Sequence, residues 1–246
     1  MEYSKPQDII FDKDTIVKLS EISSQPCVLK GFFSKDEIAY INQQRDAGIP
    51  VDKLGKVSNW KYDKNIEFKD WLEKKLQSAL TRSFTMHGGN YFQTKVPFFV
   101  HTDTGKNEVD GMVPYKNVVV PLTQSTTNHP CYTVLFKQRW YGQATMFWKG
   151  PLFTTAKSNY NHKLEDYSML DNYTGENIDV NEYIKFLTHL PYNNLHGLSI
   201  DRVYEWNIGD IIIFDCTQLH SSNDFTSKGT PIPKFALSYF CRLKDE

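Results

Sequence analysis

The spacing of apolar residues changes character part-way along the chain. Between Glu67 and Leu80, residues Phe68, Trp71, Leu72, Leu76 and Leu80 recur at intervals of three and four, which predicts a helix with one buried face. A second helix is predicted from Ser34 to about Arg45. There Ser34-Lys35-Asp36-Glu37 has the form of a capping box, in which each side chain satisfies the other's free amide. A short strand-like run, 27–30, precedes it. From about Asn90 the helical period gives way to short β-rich runs at 91–95, 98–102, 116–122, 132–137, 144–148, 202–206, 210–215 and 234–241. Helices followed by many short strands predict a mostly β chain with some α, an antiparallel sandwich or barrel such as a jelly roll. Between 149 and 198 lies a long polar and aromatic insertion with a short helix expected near 180–190, and a loop region of that length usually has a function. Without a linker or an internal repeat, one domain over 1–246 is expected: 1–89 as helical support and 90–246 as the β core.

Composition narrows the classes. Of 246 residues, 40% are hydrophobic and 23% charged, which is too apolar for a disordered chain. Lys and Arg number 28 against 29 Asp and Glu, so no basic surplus exists to neutralise a phosphate backbone, and duplex nucleic acid is not expected as a partner. The longest aliphatic run, Ile211-Ile212-Ile213-Phe214, has the length of a strand and not of a membrane span. The first residues lack a basic stretch followed by an apolar one, and Cys27, Cys131, Cys216 and Cys241 are widely spaced with no CxxC pair. These features point to a cytoplasmic protein with reduced cysteines and no zinc knuckle.

Three features carry candidate chemistry. His101-Thr102-Asp103 follows the apolar run Val96-Pro97-Phe98-Phe99-Val100, and residues i and i+2 of a strand share a face, so both side chains can grip one ion. Alone the pair is weak, since chance supplies about 0.5 such matches in a chain of this composition. Second, Trp206-Asn207-Ile208-Gly209-Asp210 turns into an Ile/Phe strand with His220 just past its end, able to bring a third ligand to the first pair. Two histidines and one carboxylate on one face form the triad that suits Fe(II) and leaves coordination positions open, whereas no HExxH zinc motif is present. Third, Lys234 opens a β-type segment and, if turned inward, could bind the far carboxylate of a dicarboxylic co-substrate. A buried lysine is costly unless paired, so burial separates that role from a surface one.

These features together resemble the Fe(II)/2-oxoglutarate-dependent oxygenases, most closely their phytanoyl-hydroxylase-like and prolyl-hydroxylase-like branches. The resemblance spans about 91–242, and more weakly 26–41. It implies a double-stranded β-helix (jelly roll) with N-terminal helices packed on one side. It also implies iron held by His101, Asp103 and His220, 2-oxoglutarate anchored by Lys234, and O2 as the oxidant. The expected reaction hydroxylates a C–H bond of a small-molecule or peptide substrate and releases succinate and CO2. Many relatives place Arg about ten residues after the second histidine; here Lys234 stands 14 residues on, with Arg242 as a rival on the same strand face. Tyr91 is the expected second partner of 2-oxoglutarate, and Phe99 and Trp148 are candidate pocket aromatics. Asp215 is the substitute ligand should Asp103 point away, while His87, His129, His162, His189 and His196 carry little weight. Two other readings remain: a cupin-type metal enzyme that does not use 2-oxoglutarate, and a non-catalytic jelly-roll binding module.

Overall fold

The computed structural model describes residues 5–47, 65–105, 112–150, 162–226 and 232–243, apart from the side chain of His87, and the backbone of 2–3, 52–54 and 57–61. Residues 151–161 of the insertion and 227–231 of the loop after His220 lie outside the described residues.

The elements run β1 (Glu2–Tyr3), α1 (Pro6–Ile9), α2 (Lys13–Glu21), β2 (Cys27–Leu29), α3 (Lys35–Asp46), β3 (Asp52–Leu54), β4 (Val57–Lys61) and α4 (Ile66–Gln77). Then come β5 (Phe84–Thr94), β6 (Pro114–Pro121), β7 (Tyr132–Arg139), β8 (Thr145–Phe147), β9 (His162–Leu164) and α5 (Val180–Glu182), which runs directly into a π-helical turn at Tyr183–Leu187. A 3-10 turn at Tyr192–Leu195 leads to β10 (Ile200–Glu205), β11 (Ile211–Asp215), β12 (Gln218–Ser222) and β13 (Lys234–Leu243).

A seven-stranded sheet has the order β2-β11-β6-β13-β5-β4-β3, antiparallel throughout. Two three-stranded sheets, β10-β7-β12 and β1-β9-β8, are joined through a single residue, His101, which bridges to Met146 on β8 and to His220 on β12. Alternate residues of each strand face opposite sides, and the apolar clusters follow that alternation. Leu237, Tyr239 and Cys241 of β13 pack with Leu19, Ile38, Ile41, Phe68, Leu72 and Leu76 of α2, α3 and α4 on the outer face of the large sheet. Ala236 of β13, Ile212 and Phe214 of β11 and Leu135 of β7 meet between the sheets. Val134, Phe136 and Leu219 point the other way and are covered by the insertion's Leu187, Leu190, Leu195 and Leu198. Helices, large sheet, small sheets and insertion therefore stack as successive layers, with the inner layer enclosed between the sheets.

Local chemistry explains the helix starts. The Ser34 hydroxyl accepts from the Glu37 amide at 3.2 Å and the Glu37 carboxylate accepts from the Ser34 amide at 2.8 Å, the reciprocal box that the sequence predicts. Asn65 caps α4 by accepting from the Phe68 amide at 3.1 Å. Helix α2 is not anticipated by the apolar spacing; Asp12 caps it by accepting from the Thr15 amide at 2.9 Å. Two strand expectations need correction. Residues 98–102 form no strand, because the Phe98 amide bonds the Ser222 hydroxyl at 2.6 Å instead of a ladder partner, and only His101 pairs. His220 is not beyond a strand end but inside β12, which follows β11 after the turn at Cys216 and Thr217. Among the described residues, no helix is long and apolar enough to cross a membrane.

Replacing Ser34 by Ala should remove one side of the capping box and cost about 1 kcal/mol of folding free energy, read as a lower urea midpoint at unchanged m-value. A midpoint equal to that of the parent protein would show that the box does not stabilise α3.

Candidate metal centre

His101 and His220 are directly opposed across an antiparallel bridge. The His101 amide donates to the His220 carbonyl and the His220 amide donates to the His101 carbonyl, both at 3.0 Å. Residues that exchange both bonds project their side chains to one face, and the two imidazole centroids lie 4.0 Å apart. On the other edge the Thr102 amide donates to the Thr145 carbonyl at 3.0 Å, so the chain leaves the bridge in a set direction toward Asp103. The Asp103 carboxylate arrives with Oδ2 3.2 Å from His220 Nε2 and Oδ1 3.8 Å from His101 Nε2. One donor atom from each of the three residues lies within 4.8 Å of the other two.

Hydrogen bonding sets the imidazole tautomers. His101 Nδ1 is 2.7 Å from the Phe99 carbonyl and His220 Nδ1 is 3.2 Å from the Gln218 carbonyl. A carbonyl only accepts, so each Nδ1 carries the proton and each Nε2 presents its lone pair toward Asp103. Burial, with the neighbouring His220, pushes the His101 pKa down to about 3, which keeps that ring neutral. Three electron-pair donors converging in a buried space repel one another until a cation lies among them. The set fits a metal that takes two imidazoles and one carboxylate. Phe98, with its ring 4.6 Å from that of His101, and Phe214, 4.7 Å from His220, wall the donors with apolar surface.

Lys234 opens β13 on the inner face, opposite Thr94 of β5, and is 2% exposed. Its Nζ donates to the Tyr132 carbonyl at 2.9 Å and lies 3.7 Å from the Trp206 ring centroid and 5.5 Å from that of Phe225. Among the described residues no carboxylate pairs with it, and burial pushes its pKa down to about 7. Two residues along the strand, Ala236 packs in the cluster that contains Phe214, whose ring abuts His220, so one inner surface connects the ammonium and the donor triad. The other buried cations differ. Lys116 and Arg139 both ion-pair with Asp215, which removes Asp215 as a substitute ligand. The Arg242 guanidinium, at the far end of β13, donates to the Met112 carbonyl at 2.7 Å. The Gly-Asp turn before β11 is explained by packing: Gly209 has φ +97°, and a Cβ there would meet the Phe33 carbonyl oxygen at 3.0 Å.

Tyr91 does not reach this site. Its cross-strand partner is Leu237, so it shares the face that looks toward the helices, and its hydroxyl donates to the Ile41 carbonyl of α3 at 2.8 Å. Nearness in sequence to the His-x-Asp pair does not set the face of a strand residue; the two-residue alternation does, and it turns Tyr91 away from the face of Lys234. Phe99 and Trp148 also lie elsewhere, packed edge to face at 4.9 Å in the cluster beneath the insertion. The residues beside the donors are instead Phe98, Phe214 and Asn117, whose Nδ2 donates to Asp103 Oδ2 at 3.2 Å. Asn117 is legible in hindsight as the polar residue at an inward position of an otherwise Val-rich strand. From the insertion, His189 brings Nε2 to 3.2 Å from the Phe98 carbonyl, and burial pushes its pKa down to about 4.

The chain is similar in fold to HygX from Streptomyces hygroscopicus, solved with nickel and 2-oxoglutarate bound, at 12% identity over 94% of this chain and 87% of that one, with a TM-score of 0.51. It is similar to the non-heme α-ketoglutarate-dependent carbocyclase SnoK from nogalamycin biosynthesis, at 10% identity over 100% and 88% and a TM-score of 0.51. A third similar structure is EctD from S. alaskensis in its apo form, at 13% identity over 98% and 80% and a TM-score of 0.51. Identities this low carry the fold alone. No protein-family model matches the sequence, and no curated protein matches it either.

Tyr91→Phe should cost about 1 kcal/mol of stability by leaving the Ile41 carbonyl without its donor. It should leave 2-oxoglutarate affinity of the metal-loaded protein unchanged. A weakened affinity at unchanged stability would return Tyr91 to the site.

Proposed function

We propose that the protein is a non-haem Fe(II)/2-oxoglutarate-dependent dioxygenase of hydroxylase type, and that its facing sheets form a double-stranded β-helix. The observation that carries this reading is the pairing, on one inner surface, of a two-histidine, one-carboxylate donor set with a buried ammonium that no carboxylate of the described chain neutralises. His101, Asp103 and His220 would hold the iron. Lys234 would receive the distal carboxylate of 2-oxoglutarate in a charge-assisted bond. Iron, when bound, supplies the redox chemistry by which O2 and 2-oxoglutarate give succinate and CO2 while one oxygen atom enters a substrate C–H bond.

The chain's own residues then have separable tasks. The two Nδ1–H bonds to backbone carbonyls fix the imidazole planes before any ion arrives, so little reorganisation accompanies binding. Phe98 and Phe214 keep water from the donors. Trp206 cradles the Lys234 ammonium, and its indole N–H is itself held by the Thr133 hydroxyl at 2.9 Å. The insertion closes the outer side of the small sheets and carries His189 toward Phe98; with the loops around it, we assign it the selection of a small-molecule or peptide substrate. A cupin-type enzyme working without 2-oxoglutarate would have no use for a buried cation beside the metal. A binding module would release no succinate.

Anaerobic titration with Fe(II) and 2-oxoglutarate should produce a visible metal-to-ligand charge-transfer band. His101→Ala should abolish it, and Lys234→Ala should raise the 2-oxoglutarate Kd by roughly tenfold or more through loss of the charge-assisted bond. An unchanged band in both variants would defeat the assignment.

The depressed Lys234 pKa also sets a pH dependence. The free ammonium loses its proton as pH rises through about 7, whereas a bound carboxylate favours the charged form, so binding above that pH must take up a proton. Affinity for 2-oxoglutarate should therefore fall between pH 7 and 9 by up to about tenfold per unit. Calorimetry in buffers of different ionisation enthalpy should register the proton uptake, and a flat affinity across that range would contradict it.

A further inference from the structure

Asp103 lies beyond the bridge made by His101 and belongs to no strand, so its carboxylate depends on side-chain contacts for its direction. Asn117 supplies one such contact from the middle of the large sheet. It stands on β6 opposite Phe214 of β11 and Phe240 of β13 and is 1% exposed. Its Nδ2 donates to Asp103 Oδ2 at 3.2 Å, the same oxygen that faces His220 Nε2. Its Oδ1 accepts from the Cys216 thiol at 2.9 Å. Cys216 is 2% exposed and follows Asp215, the residue that ends β11.

The two ends of a side-chain amide are not equivalent. A carboxylate only accepts, so it must meet the NH2 end, and a thiol hydrogen at the opposite end fixes which way the amide turns. We propose that Asn117, itself oriented by Cys216, is the positioning residue for the Asp103 carboxylate. The chain Cys216 to Asn117 to Asp103 carries rigidity from the large sheet across the inner layer to a ligand on the opposite side, much as partners behind metal ligands fix their orientation elsewhere. The inference rests on the metal-centre reading above and extends it to two residues outside the donor set.

Co(II) binding to the apo protein tests it, by the dissociation constant and the visible ligand-field spectrum, with thermal denaturation of each metal-free variant as the measure of structure. Asn117→Leu, close in volume but without donors, should weaken Co(II) binding on the order of 10–100-fold and alter the spectrum. Cys216→Ala should weaken binding in the same direction, and Cys216→Ser, which restores a donor to the amide oxygen, should recover it. The Ala and Ser variants of Cys216 decide the matter even if Asn117→Leu does not fold. Co(II) binding by Asn117→Leu or Cys216→Ala within about twofold of the parent would overturn the inference while leaving the metal centre intact. So would equal losses in Cys216→Ala and Cys216→Ser. Failure of the parent protein to bind Co(II) would overturn both.

Discussion

The reciprocal backbone hydrogen bonds between His101 and His220 are the constraint on which the remainder depends. One bridge does two jobs. It links β12 through His101 to β8, joining the two small sheets, and it sets two imidazoles side by side on the inner face. The residues it couples are far apart in sequence, so the donor set exists only when the β layers have closed. Fold and site are thus a single event in this protein: a change that opened the bridge would separate the ligands and split the small sheets together.

Electrostatics sets Lys234 apart from two other buried cations. Lys116 and Arg139 share Asp215, and Lys116 also donates to the Ser24 hydroxyl at 2.7 Å, which pins the segment before β2 to the sheet. Such a network spends its charge internally. Lys234 has aromatic rings and one carbonyl for company, and its charge is costly as it stands. A bound carboxylate would offset that cost, which makes the same residue poor as a fold stabiliser and well suited to grip an anionic co-substrate. The neutral His101 ring fits the same logic, since an imidazole kept unprotonated by burial presents a lone pair and not positive charge.

Much of this was legible in the amino-acid order, and the failures have physical reasons. The α3 capping box and the α4 apolar stripe are local, and local rules located them to within a few residues. The three donors were legible as types in a suggestive order, and the structure draws them together. Strand β12 was not, because its Gln-Leu-His-Ser-Ser run is buried and lacks the alternation that marks a half-exposed strand. The face of Tyr91 is not legible locally, because sequence proximity cannot reveal which side of β5 looks inward; the pairing of Leu237 with Tyr91 does. Asn117 is not legible locally, because a polar residue in a valine run looks like an interruption and its partners, Asp103 and Cys216, lie far away in sequence.

In the proposed function His101, Asp103 and His220 would surround one metal ion while Lys234 faces it across the inner layer. Crystals of the protein grown with Mn(II) and 2-oxoglutarate, with diffraction recorded across the manganese edge, test it most directly. One anomalous peak is expected, bonded to both Nε2 atoms and to the Asp103 carboxylate, with a dicarboxylate reaching from it to the Lys234 ammonium. A peak at any other group of residues, or a dicarboxylate seated away from Lys234, would contradict it.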